Sequence, residues 1–382
     1  MKILLLTEFF PDSSQLKFTG GVEARTYFMA KNLAKENKVI VLCRKTQSLR
    51  EKTRINKIVV YPCGPKTSRV EASFFSIFGR IGFILTAFSK GLKIDFDLIE
   101  GSNVVSFLPA FFLGVFKNKP KISWWPDVLK GKWLQNFGLS GIFGEIIERI
   151  SLKLPWTGII SLSKSTQNKL LKEGILKSKI RIVYGGVESK KLKEMSLRIE
   201  KKKKRIICIS RLVKYKRVSD LILAFEKLLK KYPQFQLFIV GQGPEEEKLK
   251  DLVNKKNLFK KVKFFKDLDR DKLLRLLAES YVFCLPSVIE GFGLVTIEAL
   301  SCGVPYVIAD IEVNKEITNN GEGGFLFKKK DAVDLERKID ILLKNEKTYR
   351  IKQKEGIKLA QKYDWKIIAG QTKKGYNKVI HE

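Results

Sequence analysis

The chain has 382 residues, 44% of them hydrophobic, and 74 Lys and Arg against 40 Asp and Glu give a formal net charge of +34. That length exceeds the roughly 250–300 residues at which one core divides, so two packed domains are expected. One histidine, His381, and five scattered cysteines without a C-x-x-C pair argue against a histidine base, a Cys/His metal centre and a disulfide framework, and fit reduced core thiols in a cytoplasmic protein.

The charge excess is spread along the chain. Its candidate partners are nucleic acid, anionic lipid and phosphate-bearing substrates, with a lysine-rich solvated surface as the plain alternative. Met1–Glu8 is too short for a signal-peptide apolar region and meets an acid at once. No stretch reaches the ~18–20 apolar residues of a membrane span. Phe74–Phe88 and Val104–Phe116 come closest, either as core helices of an α/β domain or as helices that dock at a membrane interface.

In chain order, Lys2–Thr7 is an unbroken apolar run, as a strand covered on both faces requires. A loop with Gly20-Gly21-Val22-Glu23 follows, then helical spacing over Ala24–Glu36 and a strand at Val39–Cys43. That is a βαβ unit whose glycines allow close approach to a ligand. Strands are predicted at Ile58–Tyr61, Leu98–Glu100, Lys121–Trp124, Gly158–Ser161 and Ile180–Tyr184. Helices are predicted at Phe74–Lys93, Val104–Phe116, Gly141–Lys153 and Lys164–Lys172. The polar run Ser189–Arg205, with Lys201 to Lys204 inside it, reads as a linker. The alternation restarts with strands at Ile206–Ile209, Gln236–Val240, Val262–Phe265, Tyr281–Leu285 and Val307–Ile308. Helices are expected between them at Val218–Lys231, Glu245–Asn254 and Asp271–Glu279, and Asp331–Leu343 follows as an amphipathic helix. The reading is α/β, with two Rossmann-like domains at 1–190 and 201–360 and a closing helix at 361–382.

The chemistry concentrates around Ser287–Pro305. An apolar strand runs into Glu290-Gly291-Phe292-Gly293-Leu294-Val295, and a helical pattern carrying Glu298 follows. Strand, glycine turn and helix start present backbone N–H groups to an anion. Glu290 before the turn and Glu298 inside the helix can accept hydroxyls beside it. A diphosphate with hydroxyls on both sides is a nucleotide sugar. After the first strand of the second domain, Arg211 can fork onto phosphate oxygens and Lys216 can add a point charge. Gly241-Gln242-Gly243-Pro244 follows the next strand but is not a dinucleotide fingerprint, and no P-loop is present. Asp267-Leu268-Asp269, beside Arg270, reads as a structural turn and not as a metal-holding pair.

Together these motifs resemble the family 4 retaining glycosyltransferases of GT-B fold, across nearly the whole chain. Glu290 through Glu298 resembles the family's E-x7-E signature, and Gly20-Gly21-Val22-Glu23 its N-terminal glycine loop. Val183–Glu188 resembles the segment before the linker, Ile209–Lys216 the phosphate clamp, and Tyr363-Asp364-Trp365 the start of the C-terminal crossover helix. The resemblance implies two domains facing across a cleft, with a C-terminal helix crossing back to the first. The second domain would bind the donor, a nucleotide-diphosphate sugar, and the first the acceptor. Arg211 and Lys216 would stabilise the leaving diphosphate together with N–H groups near Gly293, Leu294 and Val295. Glu290 would hold sugar hydroxyls, Glu298 the ribose, and Gly20 and Gly21 would approach the diphosphate. No metal and no further cofactor is implied.

Three positions depart from the family pattern. Trp124-Trp125-Pro126-Asp127 stands where many relatives carry a histidine, which leaves Asp127 as the polar group for the acceptor side. Gly185 replaces an asparagine, and Ser210 the glycine before the clamp arginine. The basic, phenylalanine-rich first domain suggests a lipid-linked or glycan acceptor at an anionic membrane surface, on its cytoplasmic face. Competing readings are a sugar-nucleotide epimerase of the same fold, an inactive homologue, and a nucleic-acid-binding protein. The last lacks any recognisable RNA or DNA module, so nucleic acid is not an expected partner.

Overall fold

The computed structural model describes residues 1–12, 18, 20–46, 49, 51–67, 76–199 and 204–381. Phe74 and Phe75, at the head of one expected helix, and Lys201 to Lys203 of the lysine run lie outside them. The chain divides into two compact units, Met1–Gly185 with Trp365–Glu382, and Gly186–Asp364.

Among the described residues of the first unit eight strands form one sheet: β1 (Lys2–Leu6), β2 (Lys38–Thr46), β3 (Thr53–Ile55), β4 (Ile58–Thr67), β5 (Leu98–Gly101), β6 (Lys121–Trp125), β7 (Gly158–Ser161) and β8 (Ile180–Ile182). Their order is β3-β4-β2-β1-β5-β6-β7-β8, and only the short β3–β4 hairpin is antiparallel. Central β1 is apolar at every position after Lys2, and Ile3 to Leu6 are fully buried. Helices cover it on both faces, which is what selects such a run. Helices Ser76–Leu92, Val104–Phe116 and Gly141–Lys153 lie side by side over a core that includes Phe83, Phe107, Trp125 and Ile147. Asn103 and Ser106 close a reciprocal capping box at the head of the second of these.

The helix Trp365–His381 packs within this unit. Trp365 stacks on Phe28 with ring centroids 5.5 Å apart. The Tyr376 hydroxyl donates to Glu100, a buried carboxylate at the end of β5. Glu100 also pairs with buried Arg25, whose guanidinium lies 4.4 Å from the Trp124 ring centroid. A buried ion pair persists only when its remaining lone pairs and protons are met. Ser102 Oγ donates to Glu100 as well, at 3.0 Å, so this one is well supplied.

Among its described residues the second unit has six strands, all parallel: β9 (Arg205–Ile209), β10 (Gln236–Val240), β11 (Val262–Phe265), β12 (Val282–Leu285), β13 (Tyr306–Ala309) and β14 (Gly324–Phe327), in the order β11-β10-β9-β12-β13-β14. This is the doubly wound arrangement, and the strand order reverses between β9 and β12. Two Rossmann-like parallel-sheet domains are therefore present, as the alternation of the sequence predicts.

One expectation is corrected. Ser189–Leu197, read as part of a linker, is a helix packed in the second unit. Leu192 is its buried apolar side chain, and Ser196 Oγ donates to the Cys302 carbonyl at 2.5 Å. With so few apolar residues its pattern looks like solvated coil, and tertiary contact decides the outcome. Among the described residues no helix is long and apolar enough to cross a membrane.

Candidate active site

The loops that leave β9 and β12 emerge side by side, because those strands are neighbours on either side of the reversal. Crevices at such points are where open α/β sheets bind ligands. The Val288 N–H donates to the Tyr215 carbonyl at 3.0 Å and ties the two loops together. Across that tie, Lys216 Nζ lies 2.5 Å from Glu290 Oε1. Both side chains are largely covered, at 13% and 10% exposure. Lys216 ends a short 3-10 turn, Lys214–Lys216. Arg217 follows at φ +49, its guanidinium forked onto Asp220 at 2.6 and 2.8 Å. That fork fixes the turn and aims Lys216. Arg211 is exposed and donates to the Tyr215 hydroxyl at 2.7 Å. Thus two positive groups and one carboxylate gather at the sheet's carboxyl edge.

The glycine turn completes this edge. Gly293 caps the helix Leu294–Ser301 at φ +82, ψ +48, a left-handed conformation that side chains other than Gly, Asn and Asp adopt at a cost. A Cβ there would also sit 3.3 Å from Ile317 Cδ1. Helix geometry leaves the first N–H groups, those of Leu294 and Val295 among them, without intrahelical partners and aimed outward. Gly291 and both of these residues are half-buried. Phe292 was expected among the donor-binding residues, but its side chain is 3% exposed and lies edge-on to Tyr363 at 5.7 Å. Its ring pins the turn from the core side and leaves only backbone to face a ligand. Gly241, at φ +142, has its own demand: a Cβ would lie 1.9 Å from the Ser210 carbonyl oxygen. It lets the loop after β10 pack against the loop after β9.

Glu298 lies on the helix Leu294–Ser301 at 5% exposure, where its carboxylate is paired with Arg270. Arg270 opens the helix Arg270–Glu279, and Asp269 caps that helix through a 2.8 Å bond from the Lys272 N–H. Sequence reading treats Asp267–Asp269 as structural, in keeping with this cap, but misses Arg270. The arginine and the glutamate are 28 positions apart on different helices, and no periodic signal links them. Among the described residues no group of three or more His, Cys, Asp or Glu side chains is placed to hold a metal ion. Burial pushes the Cys208 thiol, beneath this edge, up to about 12, so it offers no thiolate near neutral pH.

The remaining expected residues belong to the first unit. Gly20 precedes the helix Gly21–Leu33 in an extended conformation, φ −176, open to any residue. Among the described residues a Cβ at Gly20 would meet nothing within 4 Å. The described residues therefore place no steric demand for glycine there. Gly20→Ala should leave the thermal midpoint unchanged while raising the KM for the donor several-fold; a lowered midpoint with normal kinetics would assign the glycine to folding instead.

Asp127 follows β6. Its carboxylate accepts from Lys169 and from the Val128 N–H, at 2.9 Å for the latter. The loop around it hangs from the helix Gly141–Lys153. Glu148 accepts from the Leu129 N–H at 3.0 Å and from the Trp133 indole N–H at 2.8 Å. Glu145 takes the Gly131 N–H at 3.0 and 2.8 Å. Burial raises the Glu148 carboxyl from 4.5 to about 7; its two donors pull it down, and Glu145 and Asp127 push it up. Because the folded-state value is the higher one, the protonated acid is the form the fold favours. Its stabilising contribution is complete below pH ~4.5 and is lost as pH rises through about 7. The loss is on the order of 3 kcal/mol. Glu148→Gln should flatten the pH dependence of stability between pH 5 and 8, measured as urea midpoints; an unchanged slope would place the titration elsewhere.

Comparison with known proteins agrees with this geometry. The Glycosyl transferases group 1 profile matches residues 189–359, and the Glycosyltransferase Family 4 profile matches residues 19–191. A phosphatidyl-myo-inositol mannosyltransferase of Mycobacterium leprae is 28% identical over 165 residues, 43% of this chain and 43% of its own length. The chain spans less than half the length of curated relatives that it matches, this one among them. Among solved structures, sucrose-phosphate synthase from Thermosynechococcus elongatus superposes with a TM-score of 0.82 at 20% identity, covering 100% of this chain and 99% of that one. HepE of Anabaena, solved with UDP and glucose, gives 0.75 at 18%, covering 99% and 100%. These structural likenesses speak to the fold, and the two adjoining profiles to the family: the chain belongs to the family 4 glycosyltransferases, with two GT-B-type domains.

Proposed function

We propose that the Gly186–Asp364 unit binds a nucleotide-diphosphate sugar and that the chain transfers its sugar, with retention of configuration, to a lipid-linked or glycan-precursor acceptor. The observation that carries this reading is the Lys216–Glu290 pair at 2.5 Å, set beside the helix start at Gly293 on the switch-point edge. In this arrangement the bond between the anomeric carbon and the diphosphate oxygen breaks while the acceptor hydroxyl attacks from the same side. The acceptor proton passes to the departing phosphate oxygen. Lys216, Arg211 and the N–H groups of Leu294 and Val295 stabilise the charge that grows on the diphosphate. Glu290 holds sugar hydroxyls and in turn orients Lys216. Glu298 takes the ribose hydroxyls with the carboxylate capacity that Arg270 leaves open.

The reading gains support from the UDP and glucose bound in HepE and from the named lipid substrate of the mycobacterial relative. It takes the diphosphate charge as met by protein cations and backbone alone, so transfer should be insensitive to EDTA. It places the enzyme in the cytoplasm at the membrane's inner face. The test is a thermal-shift screen over nucleoside-diphosphate sugars, followed by proton NMR of the product from the best ligand. Stabilisation by one class of nucleotide sugar and a product with the donor's anomeric configuration are expected. An inverted product, or no response to any nucleotide sugar, would overturn it.

A further inference from the structure

The first unit leaves a large apolar surface uncovered among its described residues. The helices Ser76–Leu92, Val104–Phe116 and Gly141–Lys153 each bury one side over the same face of the sheet. Their other sides carry large apolar groups into solvent. The first exposes Phe78 and Leu85, the latter at 64%. The second exposes Phe112 and Phe116, the latter at 70%. The third exposes Ile142, Ile146 and Ile150, one per helical turn, while Ile147 and Leu152 point into the core. The first two helices are in close contact: Phe88 meets Phe116 edge to face at 5.5 Å, and a Cβ on Gly91 would collide with Leu113 at 2.3 Å. The third helix adjoins the second in turn, so the exposed apolar side chains of all three lie on the same side of the unit. In the second unit the exposed large apolar residues, Leu197, Phe259, Ile289, Val333 and Ile351, fall on three helices and two separate loops. Isolated residues of that kind are ordinary, whereas a contiguous layer marks an interaction surface.

Charge decides what the layer meets. The helices Ser76–Leu92 and Val104–Phe116 contain Lys90 and Arg80, the latter paired with Glu8, and no acidic residue, and in Gly141–Lys153 Arg149 and Lys153 balance Glu145 and Glu148. Lys117, Lys119, Lys130 and Lys132 follow in the adjoining loops. Apolar side chains amid basic groups, without a spanning segment, match the interface of an anionic bilayer. A second copy of the chain would bring the same basic groups against these, on a molecule of formal charge +34.

We propose that this three-helix layer seats the protein on an anionic lipid bilayer, with the isoleucine face of Gly141–Lys153 inserted at the headgroup boundary. The layer is also joined to the candidate acceptor side. Glu145 and Glu148 of that helix hold the backbone of Leu129 and Gly131, two and four residues beyond Asp127. A bilayer under the helix therefore presents its lipid headgroups beside the loop that carries Asp127. This step rests on the transferase reading only for the acceptor; the seating itself does not.

The test is flotation of the full chain with vesicles of phosphatidylglycerol and phosphatidylcholine, against phosphatidylcholine alone. The paired variant Ile146→Asp with Ile150→Asp is compared with Phe112→Ser with Phe116→Ser, on a second helix. Thermal shift by UDP-sugars is read in parallel. The wild type should float with the mixed vesicles, less so at high salt, and weakly with the neutral ones. Each paired variant should lose roughly tenfold or more in partitioning and keep its donor response. Absence of flotation by the wild type, or equal flotation by either folded variant, would overturn the seating. So would a concentration-dependent dimer that the isoleucine variant dissolves. Loss of the donor response alone would count against the transferase reading and leave the seating intact.

Discussion

Replacing Lys216 with alanine is expected to lower kcat for sugar transfer by about 10²–10³-fold, the usual effect of removing one preorganised group aimed at charge that develops in the transition state. The KM for the donor should change less, because the leaving diphosphate gains charge as the glycosidic bond breaks and Lys216 acts most strongly then. Glu290→Gln should give a loss of similar size by another route: the amide keeps one acceptor for a sugar hydroxyl but no longer fixes the ammonium. Lys216 and Glu290 are 2.5 Å apart and mostly covered, so their effects should not multiply. The double variant should be little slower than the worse single one. Steady-state kinetics on the four proteins checks this. A double variant as slow as the product of the single losses would mean that the two residues act independently.

Arg270→Ala should have the second largest effect, on both stability and the donor. Glu298 is 5% exposed, and the variant leaves its carboxylate buried without a counter-ion. Breaking one side of such a pair costs about 3–5 kcal/mol. The expected result is a clearly lowered thermal midpoint and a donor KM raised at least tenfold. Glu298→Gln should destabilise less, because a neutral amide needs no ion partner, yet it should also weaken the donor. If Arg270→Ala lowers the midpoint while donor binding survives, Glu298 has no part in the ribose contact.

Most of the proposed donor site is legible in the sequence because its parts are local. The strand, the glycine turn and Glu290 to Glu298 lie within seventeen positions, and the turn's demand for glycine at 293 is met by a left-handed backbone angle. Lys216 is 74 positions from Glu290, yet it was found because it follows a strand end as the glutamate does. Arg270 was not found, because it opens a helix behind the site and nothing in its neighbourhood differs from a surface turn. Phe292 is expected at the ligand as part of the run from Glu290 to Val295; its ring lies against Tyr363, 71 positions on. The anchoring of the loop around Asp127 by Glu145 and Glu148 is also hidden, since acids on a helix ordinarily mark its solvated side. The helix Ser189–Leu197 and the helix Glu346–Ala360 were missed for a related reason: each buries few apolar side chains, so tertiary contact supplies the order that a hydrophobic stripe would have announced.

In the proposed complex a nucleotide sugar sits on the switch-point edge of the second unit, held by Lys216, Glu290 and the helix start at Gly293. Hydrogen–deuterium exchange with and without the best-binding nucleotide sugar tests it most directly. Slowed exchange is predicted in two stretches, 210–217 and 288–295, and should disappear in the Lys216→Ala, Glu290→Gln double variant. Slowed exchange confined to other segments, or protection that persists in the double variant, would contradict it.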